Sequence, residues 1–255
     1  MSALTTDTAK RLLQAWDEQQ AAYVAHRENR FGVMLDVLRL HFAEDDLAVL
    51  DMACGPGALS QRVLDALPHA RVTAIDYDPM LLRIAGKALE PYGDRARVLD
   101  ADLVTPGWPA LLGGDRPTAV LTSTALHWLS PPQLLAVYQA AAELLPPGGV
   151  LLNADHLRFD ARTPTLRDLS ARHDERTQQA GFAAGALDYA AWHAEAAREP
   201  ELAALVAERD RRFADRPPQP LASLEFHLAA LRTAGFAEAG TVWQYLDDYV
   251  VLARR

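Results

Sequence analysis

Residues 47–57, Leu-Ala-Val-Leu-Asp-Met-Ala-Cys-Gly-Pro-Gly, do most to limit what this chain can fold into. A short apolar run ends in Asp51, glycines follow at 55 and 57, and helical spacing begins at once over 58–67. A strand that turns through glycines into a helix is the opening unit of an open α/β sheet, and such sheets bind ligands at the carboxyl ends of their strands. Glycine suits that turn because it has no Cβ to hold a ligand away from the backbone. A Gly-x-Gly by itself says little, and Ser60 stands where a dinucleotide fingerprint would have its third glycine. The added signal is Asp76, which ends the next apolar run (71–75) about twenty residues after Gly57. A carboxylate there can accept hydrogen bonds from both ribose hydroxyls of an adenosine.

The period keeps alternating downstream. Pro79 occupies a favoured first-turn position and predicts a helix over 79–89. Apolar runs at 96–99, 119–121 and 150–153 predict strands, with a helix over 132–145 before Pro-Pro-Gly-Gly149. Strands and helices of this length in alternation mean a parallel sheet covered on both faces. Ahead of it, residues 8–42 read as two helices with a break near Phe31 and Gly32. Residues 157–220 contain no good strand; their apolar positions, Phe182, Leu187, Tyr189, Trp192, Leu202 and Leu205, predict a helical insertion interrupted at 181–185, 200 and 217–220. A helix over 221–233, strands over 239–243 and 249–253, and a turn at 247–248 close the chain as an antiparallel hairpin. The expected organisation is an N-terminal helical cap (1–45), a core (46–156), an insertion (157–220), and a helix and hairpin that complete the core (221–255).

Composition excludes several functions. A net charge of −9 argues against a nonspecific nucleic-acid binder, which needs a basic surface. The single cysteine, Cys54, allows neither an internal disulfide nor a thiolate metal cluster, and no metal site is expected. No apolar run approaches the eighteen or so residues that span a bilayer. The polar first residues lack the apolar stretch of a secretory signal, so the expectation is cytoplasmic. The oligomeric state stays open; a homodimer is compatible with the chain.

Five segments together resemble class I S-adenosylmethionine (SAM) dependent methyltransferases of the small-molecule, trans-aconitate methyltransferase-like type. Val-Leu-Asp-Met-Ala-Cys-Gly-Pro-Gly57 resembles the family's first motif, Ala-Ile-Asp-Tyr-Asp-Pro79 its second, and Asp-Ala-Asp-Leu103 its adenine-contacting segment. Thr-Ser-Thr-Ala-Leu-His-Trp-Leu129 and Leu-Pro-Pro-Gly-Gly149 resemble the fourth-strand and fifth-strand motifs. The resemblance implies a Rossmann-like α/β fold: a seven-stranded, mostly parallel sheet with a terminal antiparallel hairpin, N-terminal helices and a helical lid insertion. It also implies SAM as cofactor. Asp51, Ala53 and the backbone of Gly55 and Gly57 would hold the methionine portion, with the Thr122 backbone facing its amino group. Asp76 would hold the ribose, Tyr77 would pack on the adenine, Asp102 would accept from its exocyclic amine, and Leu103 would close that pocket.

The resemblance also places His127, after the fourth strand, beside the transferable methyl. It is a candidate base or substrate-orienting donor, with a local structural hydrogen bond as the alternative. His156, after the fifth strand, is a second candidate; His227 reads as structural. Tyr23, Trp128 and Trp192 are candidate substrate walls, although aromatics at helical spacing are more often core. Arg27 and Arg30 could meet a carboxylate of cofactor or substrate, or could simply be solvated.

The expected function is transfer of a methyl group to a small-molecule acceptor by in-line displacement. The alternatives are an RNA-modifying methyltransferase, for which the dense run Arg209, Arg211, Arg212 and Arg216 is broken by Asp210 and Asp215, and a SAM-binding regulatory protein without catalysis. A nicotinamide-dependent dehydrogenase shares the glycine loop but accounts poorly for Asp102 and the final hairpin.

Overall fold

The computed structural model describes residues 3–42, 47–215, 219–220 and 222–255. The expected boundary between 45 and 46, the break at Pro217 and Pro218, Arg216, and the helix start at Leu221 lie outside the described residues.

Two N-terminal helices, α1 (Thr6–Tyr23) and α2 (Arg27–His41), precede the sheet. Between them Val24 is extended and His26 is left-handed at φ 59°, so the break falls there and not at Phe31–Gly32. Gly32 is tolerated inside α2 because Phe31, Met34 and Leu38 anchor that helix in the core, outweighing a propensity cost of about 1 kcal/mol.

The core elements follow in alternation: β1 (Ala48–Met52), α3 (Ala58–Ala66), β2 (Arg71–Asp76), α4 (Pro79–Ala88), β3 (Ala96–Asp100), β4 (Ala119–Ser123), α5 (Pro131–Leu144) and β5 (Val150–His156). After the insertion come α10 (Leu224–Thr233), β6 (Glu238–Tyr245) and β7 (Asp248–Arg254). The described strands form a seven-stranded sheet in the order β3-β2-β1-β4-β5-β7-β6. β1 to β5 pair in parallel; β7 runs antiparallel to both β5 and β6. The chain reverses direction across the sheet between β1 and β4, so their carboxyl ends flank a crevice where such sheets take ligands. β1, β4 and β5 are buried almost throughout, as strands covered on both faces must be.

β5 runs three residues beyond its expected end, because Ala154, Asp155 and His156 continue the ladder with Val250, Tyr249 and Asp248 of β7. The hairpin turn sits at Leu246 and Asp247, one residue before its expected place, with Leu246 left-handed at φ 53°.

The insertion contains α6 (Pro164–Ala183), α7 (Tyr189–Ala196), α8 (Pro200–Ala203) and α9 (Val206–Phe213). The break expected at 181–185 falls at its far end, where α6 stops at Ala183 and Gly185 is left-handed at φ 97°; Gly181 itself lies within α6. A Cβ there would stand 2.5 Å from that of Ala22, so glycine is what lets α6 lie against α1. Trp192, Ala196 and Leu202 are buried with Leu12, Leu13 and Ile84 in one apolar cluster joining insertion, α1 and α4.

Candidate active site

A cavity of about 660 Å³ opens at the carboxyl edge of the sheet. Its floor is the loop after β1. Ala53 and Gly55 both have positive φ, 55° and 57°, and Cys54 N donates to Ile75 O, tying the loop to β2. A non-glycine residue in the left-handed region costs roughly 1–3 kcal/mol and persists where surrounding structure demands it. Thr124, beyond β4, is a second such residue on the cavity wall, at φ 55°.

Carboxylates ring the floor. Asp51 is buried and accepts from Ser60 Oγ at 2.6 Å; burial, reinforced by Asp76, raises it to about 7 against that hydrogen bond. Asp76 accepts three backbone N–H groups, from Gly55, Tyr77 and Asp78, at 2.7–2.8 Å. Burial raises its pKa against those three bonds. A carboxylate has about four lone-pair directions, so Asp76 both fixes the loop and keeps roughly one acceptor position for a ligand, fewer than two ribose hydroxyls would use. Asp102 accepts from Val104 N and Thr105 Oγ1 at 3.0 and 3.1 Å and borders the cavity beside Leu103. Cys54 is buried, and burial with Asp76 and Asp51 nearby raises its thiol well above its ordinary value, so it stays protonated.

Tyr77 lines the cavity between Phe213 (5.7 Å, edge-on) and the Arg212 guanidinium 5.0 Å from its ring centre. Arg212 also donates to Tyr77 O and twice to Asp100, while the neighbouring Arg209 pairs with Asp78 at 2.7 Å. The insertion therefore closes this end of the cavity through α9.

At the other end His127 and Asp155 form a pair. Nδ1 of His127 lies 2.7 Å from Asp155 Oδ1, and its backbone N–H donates to Oδ2 at 3.1 Å. Asp155 is completely buried, which alone would raise its pKa; the charge and hydrogen bond of His127, with Arg30 nearby, bring it down to about 2 instead. With an ionised carboxylate at Nδ1, that nitrogen carries the proton and Nε2 is left for a ligand. His156 lines the same end, and burial with Arg30 and Arg158 nearby pushes it well below its ordinary value, leaving it neutral.

The structure thus brings Asp51, Ala53, Gly55, Asp76, Tyr77, Asp102, Leu103, His127, His156, Trp128 and Tyr23 to one cavity. Three other expected site residues stand elsewhere. Trp192 is a core residue whose Nε1 donates to Leu12 O at 3.2 Å, because α7 turns that face inward against α1. Thr122 is fully buried within β4, and the cavity wall starts with Ser123 and Thr124. Gly57, at φ 93°, begins α3, where a Cβ would crowd Leu89 at 3.2 Å. Arg27 and Arg30 are buried rather than solvated: Arg27 pairs with Asp17 at 2.6 Å, and Arg30 with Asp248. His227 is structural as expected, its Nδ1 2.7 Å from Tyr138 Oη. Sequence reasoning missed Asp155, Arg158, Arg209 and Phe213; each becomes visible only when distant elements pack together.

Residues 49–149 match the family model described as "Methyltransferase domain". The chain is similar to trans-aconitate 2-methyltransferase of Streptomyces avermitilis, 28% identical over 171 residues that cover 64% of this chain and 60% of that protein. A shorter stretch of 67 residues is 39% identical to ribosomal RNA small subunit methyltransferase H of the same organism, covering 26% of this chain and 21% of that protein. The chain therefore spans 60% or less of the length of these curated relatives. Among solved structures, human N-acetylserotonin methyltransferase in complex with SAM aligns at TM-score 0.58 and 16% identity, over 98% of this chain and 57% of that one. An O-methyltransferase family 2 protein from Planctomyces limnophilus, in complex with apigenin, aligns at 0.57 and 20%, over 99% and 62%. At those identities the structural likeness establishes the fold. Within that fold, residues 49–149 are the segment that matches a methyltransferase domain.

The cavity's residues fit SAM. Acceptors at Asp76 and Asp102 suit a nucleoside, and the left-handed backbone at Gly55 brings main chain to the cavity floor.

Proposed function

We propose that this protein transfers the methyl group of SAM to a small-molecule acceptor whose nucleophilic atom begins protonated. The observation that supports this reading is the placement of His127–Asp155 in the same cavity as the carboxylate-ringed glycine loop. Asp76 and Asp102 hold the nucleoside, while Asp51, Ala53 and Gly55 line the methionine end. When bound, SAM supplies an electrophilic methyl on a sulfonium, already activated, so the protein's task is alignment and exclusion of water.

His127 Nε2 would take the acceptor's proton as that atom is methylated. The buried Asp155 carboxylate holds the ring by Nδ1 and stabilises the imidazolium. Its short hydrogen bond also selects the tautomer in which Nε2 is basic. His156, neutral at the same end, orients the acceptor. Tyr23 and Trp128 supply apolar walls, and the α9 contacts over Tyr77 shield the cofactor end from solvent.

Calorimetric titration with S-adenosylhomocysteine tests the cofactor half. Asp76→Ala should weaken binding about ten- to a hundredfold, the loss of a hydrogen bond to a charged acceptor. Binding as tight as wild type would remove Asp76 from the cofactor site. Methyl incorporation from labelled SAM into a panel of hydroxyl and amine acceptors tests the catalytic half. It should be lost in His127→Ala while S-adenosylhomocysteine affinity stays within about twofold.

A further inference from the structure

Arg158 lines the acceptor end two residues beyond His156, and the reaction proposed above does not use its charge. An arginine beside a catalytic histidine would ordinarily be the handle for a substrate carboxylate, since its planar fork matches one. Here its guanidinium already has two carboxylates. Nη1 lies 2.5 Å from Asp174 Oδ2 on α6 and 3.1 Å from Asp247 Oδ2 in the β6–β7 turn. The other two arginines among the described lining residues are also matched, Arg27 by Asp17 and Arg209 by Asp78. Three arginines thus face four lining aspartates, at 51, 76, 78 and 102. Asp17, Asp155, Asp174 and Asp247 stand directly behind, as does Arg30 on Asp248. An anionic acceptor would therefore meet an Arg158 whose charge is already matched by two carboxylates.

We propose that the acceptor is an uncharged, hydroxyl-bearing small molecule, and that Asp174 and Asp247 are specificity determinants that mask Arg158 from carboxylate-bearing substrates. The inference rests on reading the cavity as a methyl-transfer site. It separates this chain from what the name of its aconitate-methylating relative says that protein acts on. The apolar faces of Tyr23 and Trp128 and the neutral His156 ring offer an uncharged body surfaces to pack on, and His127 takes the hydroxyl proton.

The test is calorimetric titration of trans-aconitate into protein loaded with S-adenosylhomocysteine. Wild type should show no saturable binding below about 1 mM, whereas Asp174→Asn combined with Asp247→Asn should bind at least about tenfold more tightly, one hydrogen-bonded charge pair's worth. Adding Arg158→Met to that variant should abolish the gain. Asp174→Asn alone, at a partly exposed position on α6, should give a smaller gain and serves if the double variant is not folded by circular dichroism. Equal affinity in wild type and variants, or no gain on unmasking, overturns the proposal. So does methylation of trans-aconitate by wild type in preference to methyl 4-hydroxybenzoate, an uncharged phenol. Failure of wild type to bind S-adenosylhomocysteine would instead overturn the methyltransferase reading itself.

Discussion

The sheet with its glycine loop and the helical insertion above it are held by different forces. In the sheet, Leu50, Val120, Leu121, Leu151 and Leu152 are at most 1% exposed, and apolar side chains cover both faces. In the insertion α6 buries only Ser170 and α9 buries nothing; Trp192 and Leu202 of α7 and α8 carry the apolar contact. Charge adds to ring packing in holding α6 and α9 in place: Arg158–Asp174, Arg209–Asp78 and Arg212–Asp100 stand beside the Phe182–Tyr23 and Phe213–Tyr77 contacts. Apolar burial persists at any ionic strength, whereas partly exposed ion pairs weaken within a Debye length of about 8 Å at physiological salt. The sheet that fixes Asp76 and Asp155 therefore rests on apolar burial, whereas the insertion combines one buried cluster around Trp192 with partly exposed ion pairs.

Several measurements would break or sharpen that contrast. Trp192→Ala should cost about 3–5 kcal/mol in urea unfolding, since it empties a fully buried site and removes the indole's hydrogen bond to Leu12 O. A loss under about 1 kcal/mol would mean α7 is not the anchor. Asp155→Asn should lower methyl transfer by about 10²–10³ with S-adenosylhomocysteine affinity unchanged, because the scaffold stays intact while His127 loses its tautomer control. Loss of cofactor-product binding in that variant would place Asp155 in loop support instead.

Acid should act on the scaffold through His227. Burial lowers its pKa to about 4, so the unfolded chain takes up a proton near pH 6.5 that the folded chain refuses until about pH 4. This histidine's contribution to stability is thus complete above pH 6.5 and is lost as pH falls through that window, by on the order of 3 kcal/mol. His227→Gln should flatten the decline relative to wild type, and parallel pH–stability curves for the two would exclude it.

Arg209→Ala should speed S-adenosylhomocysteine release by about three- to tenfold in stopped-flow fluorescence, with the difference shrinking at high salt. A salt-independent effect would show that α9 closes by packing rather than charge. At the small end, Arg172→Ala breaks an exposed pair with Asp168 on the outer face of α6 and should move stability by less than about 0.5 kcal/mol.

Much of the cofactor end could be read along the chain. Asp51, Gly55, Asp76 and Asp102 sit at the ends of strands or in the loops after them, and a strand's end in an open sheet lies at the ligand edge whatever packs around it. The acceptor end was only partly legible. His127 and His156 were visible as residues after strands, but the Asp155 partner was not, since it depends on β5 continuing beside β7. The helix break at Gly32 was misplaced, because glycine's local cost was outweighed by Phe31 and Met34 packing, whereas the break at 181–185 was legible in Gly185. Trp192 showed the right helical face, but helical spacing cannot say whether a face turns toward a cavity or toward another helix.

By itself the sequence determined the alternating architecture, the terminal hairpin and the loop and carboxylates at the ends of the strands. All of these are encoded in period and in neighbours along the chain. Tertiary structure decided the pairing of His127 with a carboxylate 28 residues away, the pairing of Arg158 with Asp174 and Asp247, and the burial of Trp192. Those outcomes depend on which helices dock and which strands become neighbours. The free energy that decides them is shared among residues far apart in the chain, so no local pattern records it.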